Sequence, residues 1–157
     1  MNEPVNEKQA FIELLTRHVY KVGLNIHSMI IELSLRAIKH DASKFEDEES
    51  SYFIEYSPKL RHMEYGSDEY KDCLEKMRPA LNHHYEVNSH HPEHYPNGFT
   101  GMNLVDIVEL LADWKAAAEL SKNGDIRRSI EYNQYRFGYS DDVKQILLNT
   151  VDYLGWK

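Results

Sequence analysis

Residues 11–29 read FIELLTRHVYKVGLNIHSM, and their spacing decides the fold class. Phe11, Leu15, His18, Val22, Ile26 and Met29 recur every three or four positions. That is the repeat of one helix face, because an α-helix turns once in 3.6 residues. The stripe predicts a first helix from about Asn6, past Gly23, toward Leu35, with His18 turned inward and His27 on a neighbouring face.

The same period continues along the chain. A short turn near Ser34 is expected to lead into a second helix carrying Leu35, Ala37, Ile38, His40 and Asp41. The run Glu46-Asp47-Glu48-Glu49 predicts the start of a third helix, since carboxylates suit a helix N-terminus. Tyr56 to Gly66, with Pro58, reads as a break. Ser67 is placed to cap a helix that runs through Tyr70, Leu74, Met77, Leu81, His84 and Asn88, kinks at Pro79 and ends at Pro92. On it His84 faces inward, and His83 sits about a hundred degrees away. After the loop His94 to Gly101, Leu104, Ile107, Val108, Leu111, Trp114 and Ala118 mark a fifth helix, with Asp106, Glu109 and Asp113 on another face. Gly124 to Lys157 predicts two more, the last capped near Ser140. Tyr and Trp residues along these helices are expected in the core. No segment alternates with a period of two, so no sheet is expected. The reading is all-α: a single domain over residues 1–157, a bundle of about six or seven helices.

Composition limits the function. A chain of 157 residues can bury one good core. Its net charge of −8 argues against non-specific nucleic-acid binding and against an anionic membrane surface. No apolar run is long enough for a membrane span. The start Met1-Asn2-Glu3-Pro4 is neither a signal nor a transit peptide, so a cytoplasmic protein is expected. Cys73 has no cysteine partner in the chain. A small phosphorylated substrate remains compatible with the charge, because a metal ion and local cations can supply the positive field.

Histidine is the outlier. Of nine, five (His83, His84, His90, His91 and His94) fall within residues 83–94. Such clusters mark metal or proton chemistry. In chain order stand His18 on a buried face, the pair His40-Asp41, the His-rich segment, and Asp113. Neutral imidazole and carboxylate are the ligands that borderline and hard divalent ions take. Adjacent His and Asp let one helical turn offer a nitrogen and an oxygen to one ion.

These motifs resemble the HD-domain phosphohydrolases. Thr16-Arg17-His18-Val19-Tyr20-Lys21-Val22 resembles their first-histidine helix, His40-Asp41-Ala42-Ser43-Lys44 their His-Asp-x-x-Lys signature, and Leu111-Ala112-Asp113-Trp114-Lys115-Ala116 the segment of their final aspartate. His83-His84-Tyr85-Glu86 is similar to the paired histidines of the two-metal branch, although the spacing from the His-Asp pair departs from that branch. Asn88-Ser89-His90-His91-Pro92-Glu93-His94-Tyr95 resembles a small bacterial and phage family whose name carries no function.

The resemblance implies His18, His40, Asp41 and Asp113 as the one-metal core, and one or two divalent ions (Mn, Fe, Co, Mg or Zn). His84 is favoured over His83 as a further ligand, and His90 or His91 would complete a second site. Lys44 would contact substrate phosphate; the alternative is an exposed lysine or one paired with Glu48. Asp41 or a nearby carboxylate would orient the attacking water. Glu109, one turn before Asp113, is placed to hold a ligand histidine in its tautomer. Glu48 and Glu49 read as a solvated helix start, with a role in proton transfer as the alternative. Arg127, Arg128 and Arg136 would contact phosphate or form surface ion pairs. The expected function is metal-dependent hydrolysis of a nucleotide or other small phosphorylated molecule. The alternatives are a di-iron oxygenase of the same fold and a non-catalytic nucleotide- or partner-binding domain. Homo-oligomerisation is left open.

Overall fold

In the computed structural model, which describes residues 7–64, 67–121 and 123–156, every regular element is helical. The expected all-α class is what is found, with seven α-helices and no strand among the described residues. The chain divides into two compact units, Met1–Ile38 and Lys39–Lys157.

The first unit is essentially helix α1, Glu7–Lys39. The expected turn near Ser34 is absent. The Ser34 hydroxyl instead donates to the Ile30 carbonyl at 2.8 Å, so its polar group is satisfied within the helix. A single helix has no interior, so the stripe from Phe11 to Met29 and His18 itself are exposed on this unit. The separate second helix expected for His40 and Asp41 is absent too. Helix α1 runs to Lys39, and His40 and Asp41 form the turn that follows.

In the second unit a 3₁₀ turn, Ala42–Phe45, leads to α2, Asp47–Leu60. Its first turn holds Asp47, Glu48 and Glu49, as the acidic run predicted. The helix continues through Pro58, where a break was expected, and ends two residues later. Ser67 caps α3, Asp68–Lys76, by accepting from the Tyr70 N–H at 3.1 Å. The single kinked helix expected over Pro79 is instead two, because α3 stops and α4, Arg78–Val87, begins with Pro79 in its first turn. Proline suits that position, where its missing N–H costs no helix hydrogen bond. Two short 3₁₀ turns, Pro92–His94 and Gly98–Gly101, carry the chain to α5, Leu104–Leu120.

Helices α6, Ile126–Phe137, and α7, Asp141–Tyr153, complete the unit, capped by Asp125 and Ser140. Gly138 closes α6 at φ +67°, the left-handed region where glycine has no Cβ penalty. Leu110, Leu111, Ile126, Ile130, Leu147 and Val151 pack into one apolar core with Phe99 and Tyr139. Tyr135 and Tyr153, expected inside, are 92% and 90% exposed, so aromatic character alone did not locate the core. None of the described helices is long and apolar enough to cross a membrane.

One buried carboxylate ties the His-rich segment to this core. Asp106 is wholly buried. It completes the α5 capping box with the Asn103 N–H at 2.9 Å, and it accepts from Ser89 Oγ at 3.0 Å and Tyr95 Oη at 2.7 Å. The segment bearing His90 and His91 is thus anchored on both sides. Asp106→Ala is expected to lose about 2–4 kcal/mol of stability, because it strands several donors with no charged partner. Chemical denaturation reads this directly, and a loss under 0.5 kcal/mol would contradict the anchoring.

Candidate metal centre

The centre begins at a backbone irregularity. Asp41 has φ +56° and ψ +19°, left-handed values that aspartate tolerates better than most residues but that still cost about 1 kcal/mol. The resulting turn, not a helix face, presents His40 and Asp41. His40 Nε2 lies 3.6 Å from Asp41 Oδ2 and 3.6 Å from Asp113 Oδ1.

The other oxygen of Asp41 faces two histidines, with a third beside them. Its Oδ1 is 3.2 Å from His84 Nε2 and 3.5 Å from His90 Nε2, and His84 Nε2 is 3.0 Å from His91 Nε2. His84 comes from α4, His90 and His91 from the segment that follows it. His84 and His90 are each only 2% exposed.

Two carboxylates fix which nitrogen each ring presents. Glu49, wholly buried, accepts from His84 Nδ1 at 2.9 Å and from His83 Nδ1 at 2.8 Å. Glu109 lies 2.9 Å from His40 Nδ1 and 3.3 Å from His90 Nδ1. With Nδ1 protonated toward a carboxylate, Nε2 keeps its lone pair. The Nε2 atoms of His84 and His90 therefore stand beside the Asp41 carboxylate as atoms that can be offered to an ion. Asn88 supports His84 from behind, donating to its carbonyl at 2.8 Å and to Ser43 Oγ at 2.8 Å.

This is a poor arrangement without a cation. Asp41 Oδ1 and His90 Nε2 are buried with no hydrogen-bond partner. Such orphans cost free energy unless something satisfies them. Ligands about 2.1 Å from one ion stand about 3.0–3.4 Å apart at octahedral or tetrahedral angles. The separations of 3.0, 3.2 and 3.5 Å are close to that range. The donor set, nitrogen and carboxylate oxygen without sulfur, suits Mn, Fe, Co or Zn. Three groups could hold an ion: Asp41 with His84, His90 and His91; His40 with Asp41 and Asp113; and His40 with His90 and Glu109. In the last, the atoms involved are the Nδ1 atoms already engaged by Glu109, so it reads as the support of the other two.

Protonation follows the geometry. Burial pushes the Asp41 carboxyl up, but the proximity of His84 and the contact with Lys44 outweigh it and hold it well below the carboxylate range. The Asp113 carboxylate, opposed by burial and aided by Glu109, raises His40 to about 9. Burial lowers His90, and burial with the neighbouring His90 and His84 lowers His91 to about 3. Asp41, His90 and His91 are thus unprotonated at neutral pH, while His40 carries a proton.

The centre adjoins a cavity of about 730 Å³ between α5 and α6. His91 and Asp113 stand in its wall with Trp114, Asn133, Arg128 and Arg136. Arg136 also pairs with Glu93 at 2.6 Å, and Arg128, 81% exposed, lies 4.0 Å from Asp125. Arg127 pairs with Asp152.

One family profile matches residues 7–153, nearly the whole chain. The chain belongs to DUF5662, a family of unknown function. No curated protein and no solved structure matches it. The DUF5662 match spans both units and every ligand candidate from His18 to Asp113.

Of the residues singled out in the sequence, His40, Asp41, His84, His90, His91, Glu109 and Asp113 come together in the second unit. His18 lies on α1, in the first unit. Lys44 pairs with Asp41, not with Glu48. His94 turns away, its Nδ1 3.0 Å from the Tyr85 carbonyl. Glu49 corrects the expectation of a solvated acidic start, since it is the buried support of His83 and His84. A signal for it existed. Glu49 extends the inward stripe Tyr52, Phe53, Tyr56 and Leu60 by one turn, and a carboxylate on such a stripe requires a partner.

An ion held by Asp41, His90 and His91 meets ligands that carry no proton near pH 7. Its affinity is expected to change by well under tenfold per pH unit between pH 6 and 9. An ion that depended on His40 would gain about tenfold per unit up to pH 9, since His40 must lose its proton first. Competition with a chromophoric chelator across that range separates the two, and the steep slope would contradict the ligand assignment.

Proposed function

We propose that this protein is a metal-dependent phosphohydrolase acting on a nucleotide or another small phosphorylated molecule. The observation that carries the reading is continuity. His91 and Asp113 belong both to the ligand groups and to the cavity wall, and the same wall carries Arg128 and Arg136. A chain of net charge −8 that lines one cavity with Arg128 and Arg136, beside a histidine and carboxylate cluster, is suited to an anionic substrate. The volume of about 730 Å³ suits a ligand of nucleotide size. The resemblance to HD-domain proteins supports the same chemistry.

A divalent ion bound here would supply Lewis acidity toward a phosphoryl oxygen and toward water. The chain's own residues do the rest. Asp41, His84, His90 and His91 would hold it. Glu49 and Glu109 keep the imidazoles in the ligating tautomer. Arg128 and Arg136 would offset charge on the phosphoryl oxygens, a role the resemblance gave to Lys44. Asp113, in the cavity wall with its carboxyl held below the usual range by His40 against the opposing effect of burial, would orient an attacking water.

The experiment is phosphate release from a panel of nucleotides and simple phosphate monoesters, with Mn²⁺, Co²⁺, Fe²⁺ or Mg²⁺ supplied in turn. Asp41→Asn is expected to lower kcat/KM by at least about a hundredfold with the circular dichroism spectrum unchanged. Arg128→Ala is expected mainly to raise KM, about tenfold. Undiminished turnover in Asp41→Asn would sink the assignment. The histidine-rich donor set would equally serve iron, so oxygen-dependent turnover of iron-loaded protein without phosphate release would replace hydrolysis by oxygenation.

A further inference from the structure

The two oxygens of Asp41 have unlike surroundings. Oδ1 faces His84 and His90 and has no hydrogen-bond partner. Oδ2 faces His40 and contacts the ammonium of Lys44. Lys44 reaches this position because it lies three residues beyond Asp41, in the 3₁₀ turn Ala42–Phe45, whose first backbone bond runs from the Lys44 N–H to the Asp41 carbonyl at 3.0 Å. The Phe53 ring, its centroid 5.1 Å from Nζ, gives the ammonium a second favourable contact on the far side. One carboxylate thus offers a vacant acceptor to one ligand group and an acceptor already engaged by a cation to the other.

We propose that Lys44 acts as a built-in cation at the His40, Asp41 and Asp113 group, so that the protein takes one divalent ion at Asp41, His84, His90 and His91 and excludes a second. This rests on the metal-centre reading above. An ion at the His40 group would need Asp41 Oδ2 as a ligand, and Lys44 already uses that oxygen. It would also stand close to the ammonium, and two positive charges a few ångströms apart weaken binding by tenfold or more even at an effective dielectric of about 20. The other group meets neither obstacle. Lys44 here sets the number of ions; it does not touch substrate.

The test counts ions and does not depend on turnover. Full-length protein is stripped with a chelator, dialysed against Mn²⁺, and assayed for manganese per chain and by electron paramagnetic resonance. Wild type is expected to hold about one ion with the six-line signal of isolated Mn²⁺. Lys44→Met is expected to hold about two, with the broadened signal of a coupled pair and a second dissociation constant at least about tenfold lower. Lys44→Arg, which keeps the charge, is expected to return to one. Two ions in wild type, or one in a folded Lys44→Met, overturns the role of Lys44 and leaves the metal centre standing. No manganese in either protein overturns the centre itself, and this inference with it. If Lys44→Met does not fold, Lys44→Gln and the wild-type count still decide.

Discussion

The second unit is organised around a single carboxylate held in a costly position. Asp41 occupies left-handed backbone, is partly buried, and faces imidazole lone pairs with one oxygen while the other meets a lysine. Each of these is unfavourable or demanding by itself. The surrounding structure is arranged to enforce them. The 3₁₀ turn after Asp41 fixes its backbone, α4 delivers His84, and Asp106 pins the segment that carries His90 and His91. Strain of this kind persists only where neighbouring packing over-determines it, and it concentrates where a site needs groups aimed in advance.

A second layer makes the first one specific. Glu49 and Glu109 come from α2 and α5, far apart in the chain, yet each serves two histidines. By taking the Nδ1 protons they leave Nε2 as the atom that each ring can offer to an ion. Removing either would leave a buried donor without a partner and free a ring to rotate, so their effect on a bound ion would be large although neither need touch it. The cavity between α5 and α6 adjoins the centre, and Arg128 and Arg136 are among the residues that line it.

Much of this was legible in the sequence. Helical period alone identified the all-α class, and the capping roles of Ser67 and Ser140 were visible as Ser before an amphipathic run. His84 was distinguishable from His83 because it continues an apolar stripe, and Glu109 because it lies one turn before Asp113. Other features were hidden for physical reasons. Ser34 fits a helix interior as well as a turn, because its hydroxyl can be satisfied by the carbonyl one turn back. Pro79 is equally compatible with a kink and with a new helix, and only the packing of α3 and α4 decides. Glu49 looked solvated because its neighbours in sequence are acidic, whereas burial depends on the face it occupies. The pairing of Lys44 with Asp41 could not be read from a spacing that also fits Glu48.

Imidazole and carboxylate atoms brought this close, two of them without hydrogen-bond partners, are the central claim, and X-ray absorption at the metal edge tests it most directly. Protein loaded with one equivalent of Mn²⁺ or Zn²⁺ is predicted to show a first shell of nitrogen and oxygen only, at about 2.0–2.2 Å, with the outer-shell scattering of about three imidazoles. Replacing His84 by Ala is predicted to remove one of those imidazoles. A spectrum of a hydrated ion without imidazole scattering would contradict the account, and would mean that the histidines around Asp41 are joined by protons alone.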